Sequence, residues 1–298
     1  MMVQGPISSG ERWSPPGLPG RPSGWAPPGL PGSPVPPGGG RRRERLRAAT
    51  TQEIIETARR LLVTQGPEGA SLRAIAREMG MTAPALYRYF GSHEELLRHV
   101  VASIFTDLAE NVRGAIHTAA DSAPADISSS DVMALKLTAG CRAFRAWTLG
   151  HVPEFSLIFG SPLPGLEVLH EMHDPTVDCG YQFGQVFLDL FGDLYHKYPF
   201  AIPADDDIQP KLRDQLARFR DGMGSDLPLG ALQTFLRCWV RLYGAVSLEA
   251  FGHLKFALDD PTPMFELMLA DLASIVGLRY PLARRTPDEA QAARPQSA

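Results

Sequence analysis

Residues 71–100 read SLRAIAREMGMTAPALYRYFGSHEELLRHV, and their punctuation decides the fold. Leu72, Ile75, Ala76 and Met79 recur at i, i+3, i+4 and i+7, the apolar stripe of a short amphipathic helix. Ser71 stands just before that stripe as an N-cap, and Gly80 closes it where a positive φ is cheap for glycine. Thr82 then caps a helix predicted over 83–90, with Pro84 in its first turn, where a missing N–H costs nothing. Ser92 caps a further helix, and Glu95 sits at the reciprocal capping-box position. Upstream, Ile54, Ala58, Leu61 and Leu62 share one face of a longer helix predicted over about 47–65. Thr50 and Glu53 offer that helix an alternative start, and Gly66 its stop. Two short helices around a tight glycine turn, buttressed by a longer one, make a helix-turn-helix. In that arrangement the first short helix crosses the DNA backbone and the second enters the major groove.

The same residues carry a family likeness. From Ile54 to Val100, and most specifically in Leu86-Tyr87-Arg88-Tyr89-Phe90 and the Ser92-x-x-Glu95-Leu96-Leu97 start of the next helix, the chain resembles the DNA-binding signature of the TetR family, the tetracycline-repressor-like regulators. The resemblance implies a set of DNA contacts. Thr82 offers its hydroxyl and the free backbone N–H groups of the helix start to a phosphate. Tyr87 and Tyr89 offer phenolic donors to the DNA backbone, while Ser71 and Arg73 pin the crossing helix. Ala83 and Ala85, flanking Pro84, are small enough to approach thymine methyls. Arg88 is the long basic donor of the second helix and reaches either a guanine or a phosphate. Leu86 and Phe90 are expected in the core. The family usually places lysine where this chain has His93, so that phosphate contact is weaker or pH-dependent here. Arg47 and the arginines before it form a basic arm, available to the minor groove or to phosphates, or simply solvated.

Charge divides the chain the same way. Residues 41–98 hold 11 Arg against 7 Glu, whereas residues 99–298 hold 16 basic against 25 acidic side chains. A basic head on an acidic body suits a polyanion-binding module joined to a part with another task. Residues 1–40 contain 11 Pro and 10 Gly in P-P-G and G-L-P-G units without a strict glycine period, so they are expected to be a disordered tail and not a collagen. Residues 281–298 are expected to be a frayed end. No apolar run approaches the roughly 18 residues of a membrane span, and no signal-peptide pattern opens the chain. Cys141, Cys179 and Cys238 are far apart and read as reduced thiols, which points to the cytoplasm.

The expected organisation is all-α: a helix-turn-helix domain over 41–98 and an α-helical ligand-binding and dimerisation domain over 99–280. Leu97, Val101, Ile104, Phe105, Leu108 and Val112 continue the fourth helix into the body on one stripe. Further helices are predicted at about 131–149, 164–172, 178–197, 208–221, 227–253 and 261–277. Two segments, 141–160 and 237–252, resemble the WHG-type C-terminal domain of some TetR-family members; Trp239, Gly244 and Leu248 fit, but the usual histidine is Tyr243. A small-molecule pocket is expected among helices four to eight, lined by Phe105, Phe144, Trp147, Phe155, Phe159, Phe183, Phe187, Trp239 and Tyr243. The resemblance implies that the last two helices are the homodimer element; Leu232, Phe235, Leu236, Trp239, Leu242 and Val246, with Phe265, Leu269, Leu272 and Val276, give them wide apolar faces, which a single chain could also bury internally.

Enzymatic chemistry finds no support in the residues. There is no G-x-S-x-G, Walker loop or Rossmann glycine pattern. His170, Glu171, His173 and Asp174 lack metal-site spacing, and Asp205-Asp206-Asp207 reads as a solvated loop. No cofactor is expected. The reading is therefore a regulator, by default a repressor, that binds a palindromic double-stranded operator and is released by a small apolar effector. A constitutive DNA-binding protein without an effector fits the same residues.

Overall fold

The computed structural model describes residues 39–160 and 175–280. Ten α-helices and one 3-10 turn account for the described residues, with no strand among them. The expected helix at 164–172 and the His170–Asp174 cluster lie outside the described residues, as do the two terminal tails.

Helix α1 spans Gly39–Gly69, with its helical dihedrals broken at Gly66 (φ 73°), the expected stop. Its start differs from expectation. Thr50 caps nothing, because its hydroxyl donates to the Leu46 carbonyl inside a continuing helix (3.0 Å). The next two helices are α2 (Leu72–Glu78) and α3 (Ala83–Leu86), with Gly80 at φ 65° in the turn between them. Such a backbone angle is cheap for glycine and strained for most residues. Helix α3 is shorter than the sequence predicts. After Leu86 the Arg88 and Tyr89 amides bond back three residues, to Ala85 (3.3 Å) and Leu86 (2.9 Å). Residues 87–89 therefore wind as a tight turn, the usual finish of a helix too short to propagate. Ile54, Ala58, Ile75, Leu86, Phe90 and Leu96 are buried beneath these helices as the core of the head.

Helix α4 (His93–Asp121) runs from the head into the body without interruption. Ser92 caps it, accepting from the Glu95 amide (3.1 Å), while the Glu95 carboxylate accepts from Gly91 N (2.6 Å), one residue earlier than a standard capping box. All six expected stripe residues are buried, and α4 packs chiefly against α5 (Ser129–Gly150) and α7 (Pro175–Lys197). The chain bends at His151 (φ −135°, ψ 44°) into α6 (Val152–Phe159), a separate short helix with Pro153 in its first turn. Three helices follow: α8 (Pro210–Met223), α9 (Leu229–Ala250) and α10 (Thr262–Ile275). Asp205–Asp207 is an exposed 3-10 turn.

Head and body are also joined by charge. Arg59 of α1 donates to Asp107 of α4 (3.1 Å) and to Glu154 of α6 (3.4 Å), the latter nearly buried. Within the body, α5 is clamped to the last two helices. Arg145 makes a two-point pair with Glu249 and donates to Thr262, and Arg142 makes a two-point pair with Glu266 and donates to Tyr280.

Candidate DNA-reading face and interior cavity

The short α3 and the turn after it are held by Leu86 and Phe90, which face inward as expected. What remains outside is a compact set. Ser71, Arg73, Thr82, Pro84, Tyr87 and Arg88 are exposed, and Ala83, Ala85 and Tyr89 are half-buried beside them. Ser71 is committed as a cap, its hydroxyl oxygen accepting from the Ala74 amide (3.3 Å). Thr82 occupies the N-cap position with an extended backbone, yet its side chain makes no capping bond. This departs from the capping role expected of it.

Two residues have structural partners that the sequence does not announce. Arg47 donates to the Arg88 carbonyl (3.3 Å), and its guanidinium sits 5.8 Å from the centre of the Tyr89 ring. The arm and the reading element are therefore in contact. His93 places Nε2 3.0 Å from the Ala70 carbonyl. Because a carbonyl only accepts, Nε2 carries the proton, and only a doubly protonated ring has a second N–H to give.

In the body, the nine aromatic residues expected around a pocket separate into different roles. Phe144 is fully buried at the centre, its ring 5.7–6.4 Å from those of Phe155, Phe159, Phe183, Phe187 and Trp239. Phe105 closes the cluster against Phe159 (5.6 Å) and Phe183 (6.4 Å). Trp147 stacks on His151 at the bend (4.7 Å). Tyr243 stacks near Trp239 and donates its hydroxyl to the Phe159 carbonyl (3.2 Å) at the end of α6.

A cavity of about 70 Å³ lies deeper along the bundle, between α5, α7, α9 and α10. Only Phe187 and Trp239 of the nine border it; the rest of its wall includes Thr138, Cys141, Phe191, Phe235, Cys238, Leu269, Leu272 and Val276. Several of these were expected at the dimer face. Instead Leu232, Phe235, Leu242, Val246, Phe265, Leu269 and Val276 are buried within a single chain. An apolar stripe states that a helix face is covered but not by what, and here α5 and α7 cover it.

The cavity wall is chemically quiet. The Thr138 hydroxyl donates to the Ala134 carbonyl (2.8 Å). Burial pushes the Cys141 thiol up to about 12 and the Cys238 thiol up to about 11, so both are neutral at physiological pH. Among the described residues no charged side chain borders the cavity, and the nearby Arg142 and Arg145 are turned onto Glu266 and Glu249. Among the described residues no group of three or more His, Cys, Asp or Glu side chains is placed to hold a metal ion, and no helix is long and apolar enough to cross a membrane.

Comparison with known proteins agrees with this geometry. Residues 54–100 match the family described as bacterial regulatory proteins, tetR family, and residues 137–272 match the tetracyclin repressor-like C-terminal domain. HTH-type transcriptional regulators of Mycobacterium tuberculosis and Mycobacterium bovis are 31% identical over 245 residues, covering 80% of this chain and 96% of theirs. The crystal structure of the regulatory protein SCO4313 superposes with a TM-score of 0.59 at 29% identity, over 78% of this chain and 98% of that one. The members of this family are regulators and not enzymes, and on these matches the chain belongs to the TetR family of DNA-binding transcription regulators.

Proposed function

We propose that the protein is a repressor that binds a palindromic operator as a homodimer and is released by a small, uncharged, apolar molecule. The observation that carries the DNA reading is the exposed set around α3. Thr82, Tyr87 and Arg88 present unspent donors on an element whose own anchors, Leu86 and Phe90, are buried. Thr82, Tyr87 and Tyr89 serve the DNA backbone, with Ser71 and Arg73 steadying the crossing helix. Ala83, Pro84 and Ala85 approach the bases, and Arg88 is the residue able to read a guanine. Arg47 steadies this element through the Arg88 carbonyl and the Tyr89 ring, and His93 is mainly a strut to Ala70.

A single head offers few base contacts, so a two-fold pair one helical turn apart, roughly 34–36 Å, is what makes a palindrome specific. Beyond their buried stripes, α9 and α10 carry an outward apolar set, Val240, Leu248, Met264 and Leu267, all exposed in the lone chain. That set is the proposed seat of the second copy, and a light-scattering mass of one chain at micromolar concentration would overturn it.

The effector chemistry follows from the cavity. A charged group buried there meets no counter-charge among the described residues, so it is excluded by desolvation. A dry apolar wall welcomes a compact hydrocarbon-like group instead. Release needs only that the effector favour a head spacing that misfits the operator; a coupling of about 1–3 kcal/mol weakens DNA binding roughly 5–150-fold. The test is an anisotropy titration against upstream intergenic DNA with random DNA as control, repeated with neutral and carboxylated apolar compounds. Specific binding relieved by neutral compounds alone supports the reading. Specific binding that no compound in a broad apolar set relieves, together with an unchanged melting temperature, makes the protein a constitutive binder.

A further inference from the structure

Helix α1 begins well before it has anything to pack on. Residues 41–49 are all exposed, and the first buried residue of the helix is Ile54. This leading segment carries Arg41, Arg42, Arg43, Arg45 and Arg47 against the single Glu44. No carboxylate among the described residues forms a salt bridge with any of the five; Arg45 merely returns to the Arg41 carbonyl (3.3 Å).

In the free protein this pattern is unfavourable twice over. Arg41 with Arg45, and Arg43 with Arg47, stand four residues apart as like charges on neighbouring turns, which destabilises a helix. The arginines also crowd the positive end of the helix dipole, where carboxylates belong, and the first turn contains none. Both penalties become gains beside a polyanion. The segment is not free to sample any surface, because Arg47 ties it to the Arg88 carbonyl and the Tyr89 ring on the reading element. An arm anchored there starts beside the residues proposed to meet DNA.

We propose that this arginine-bearing start of α1 is a second DNA-binding element, which holds phosphates flanking the operator core and lengthens the footprint of each head. The proposal rests on the operator reading given above. The arginines lie all round the helix and pair with no carboxylate among the described residues, so the arm adds affinity and not sequence preference.

The test uses the full chain and a triple variant, Arg41→Gln, Arg42→Gln and Arg43→Gln, titrated at several salt concentrations against operator and random duplexes. Three phosphate contacts release about 2.7 counterions per arm, so removing them flattens the dependence of log K on log salt by about that amount. Between 50 and 200 mM salt the variant then loses about 40-fold less affinity, per arm, than the wild type. The ratio of operator to random binding stays unchanged, and wild type, unlike the variant, gains from eight added base pairs on each side of the operator. The matching lysine variant, Arg41→Lys, Arg42→Lys and Arg43→Lys, retains the wild-type slope, which separates charge from a local structural role. Parallel salt slopes for wild type and the glutamine variant, or flank dependence that survives in it, would overturn the proposal. If wild type shows no preference for operator over random DNA, the operator reading fails, and the slopes on random DNA still decide the arm.

Discussion

Around Leu86 in the head the core is mostly aliphatic, small and built from short helices; around Phe144 in the body it is aromatic, with arginine–glutamate pairs closing the bundle beside it. The head spends its polar side chains outward, on Thr82, Tyr87 and Arg88, whereas the body turns Arg142 and Arg145 onto carboxylates of its own. The difference teaches where a change is felt. A substitution on the head's surface should alter what the protein binds and leave its folding intact. A substitution among the body's rings or ion pairs should alter folding first.

The largest effect expected from this contrast is at Phe144. Phe144→Ala empties the centre of the ring cluster and should cost about 3–5 kcal/mol of stability, read from urea denaturation. A loss below about 1 kcal/mol would mean that the cluster repacks and is not the keystone of the body. Next come the ion pairs. Glu249→Ala strands Arg145, of which only 16% of the side chain is exposed, and should cost about 3 kcal/mol. Glu78→Ala in the head breaks the pair with Arg60, where both partners are about half exposed, and should cost less than about 1 kcal/mol. Equal losses at the two pairs would erase the distinction between interior and surface charge.

Smaller still in stability, but decisive for function, is Tyr87→Ala. Tyr87 is 54% exposed, so the melting temperature should stay within a degree or two while affinity falls about tenfold on operator and random DNA alike. Arg88→Ala should discriminate: loss confined to the operator makes Arg88 a base reader, and equal loss on both duplexes makes it a phosphate contact. The smallest effect concerns the thiols. Cys141 and Cys238 titrate near 9 when unfolded and at about 12 and about 11 when folded. The folded state therefore holds its thiol protons longer, and this contribution to stability is complete below pH 9 and declines as pH rises from 9 toward 12. At pH 8 iodoacetamide should label the buried Cys141 last, behind the half-buried Cys179 and Cys238, and urea should abolish the difference.

Much of the head was legible because its signals are local. Ser71, Gly80, Ser92 and the stripe from Leu72 to Met79 each act within one or two helical turns, and they stand where the sequence places them. The exceptions are instructive. Thr82 has the residue type of a cap without making the bond, and α3 stops at Leu86, because a residue's propensity does not say whether the next turn will propagate. In the body, the helices were legible and their mutual docking was not. Leu269, Leu272 and Val276 read equally well as an interface or as a cavity wall, since periodicity reports a covered face but not its neighbour. The cavity depends on how α10 lies against α5, which is set by pairs such as Arg142 with Glu266, 124 residues apart.

Helix α4 has a mechanical consequence. Its 29 residues make a rod about 43 Å long, capped by Ser92 beside the reading element and buried along the body as far as Ile116. A rod of that length is a lever: a tilt of about 5° at the body end sweeps the other end through about 4 Å, slightly more than the 3.4 Å between successive base pairs. The body therefore need not unfold, open or even repack visibly to change what the head can grip. Under the proposed release by an effector, a shift that the body's rings absorb as a small rotation would arrive at the DNA as a full step out of register.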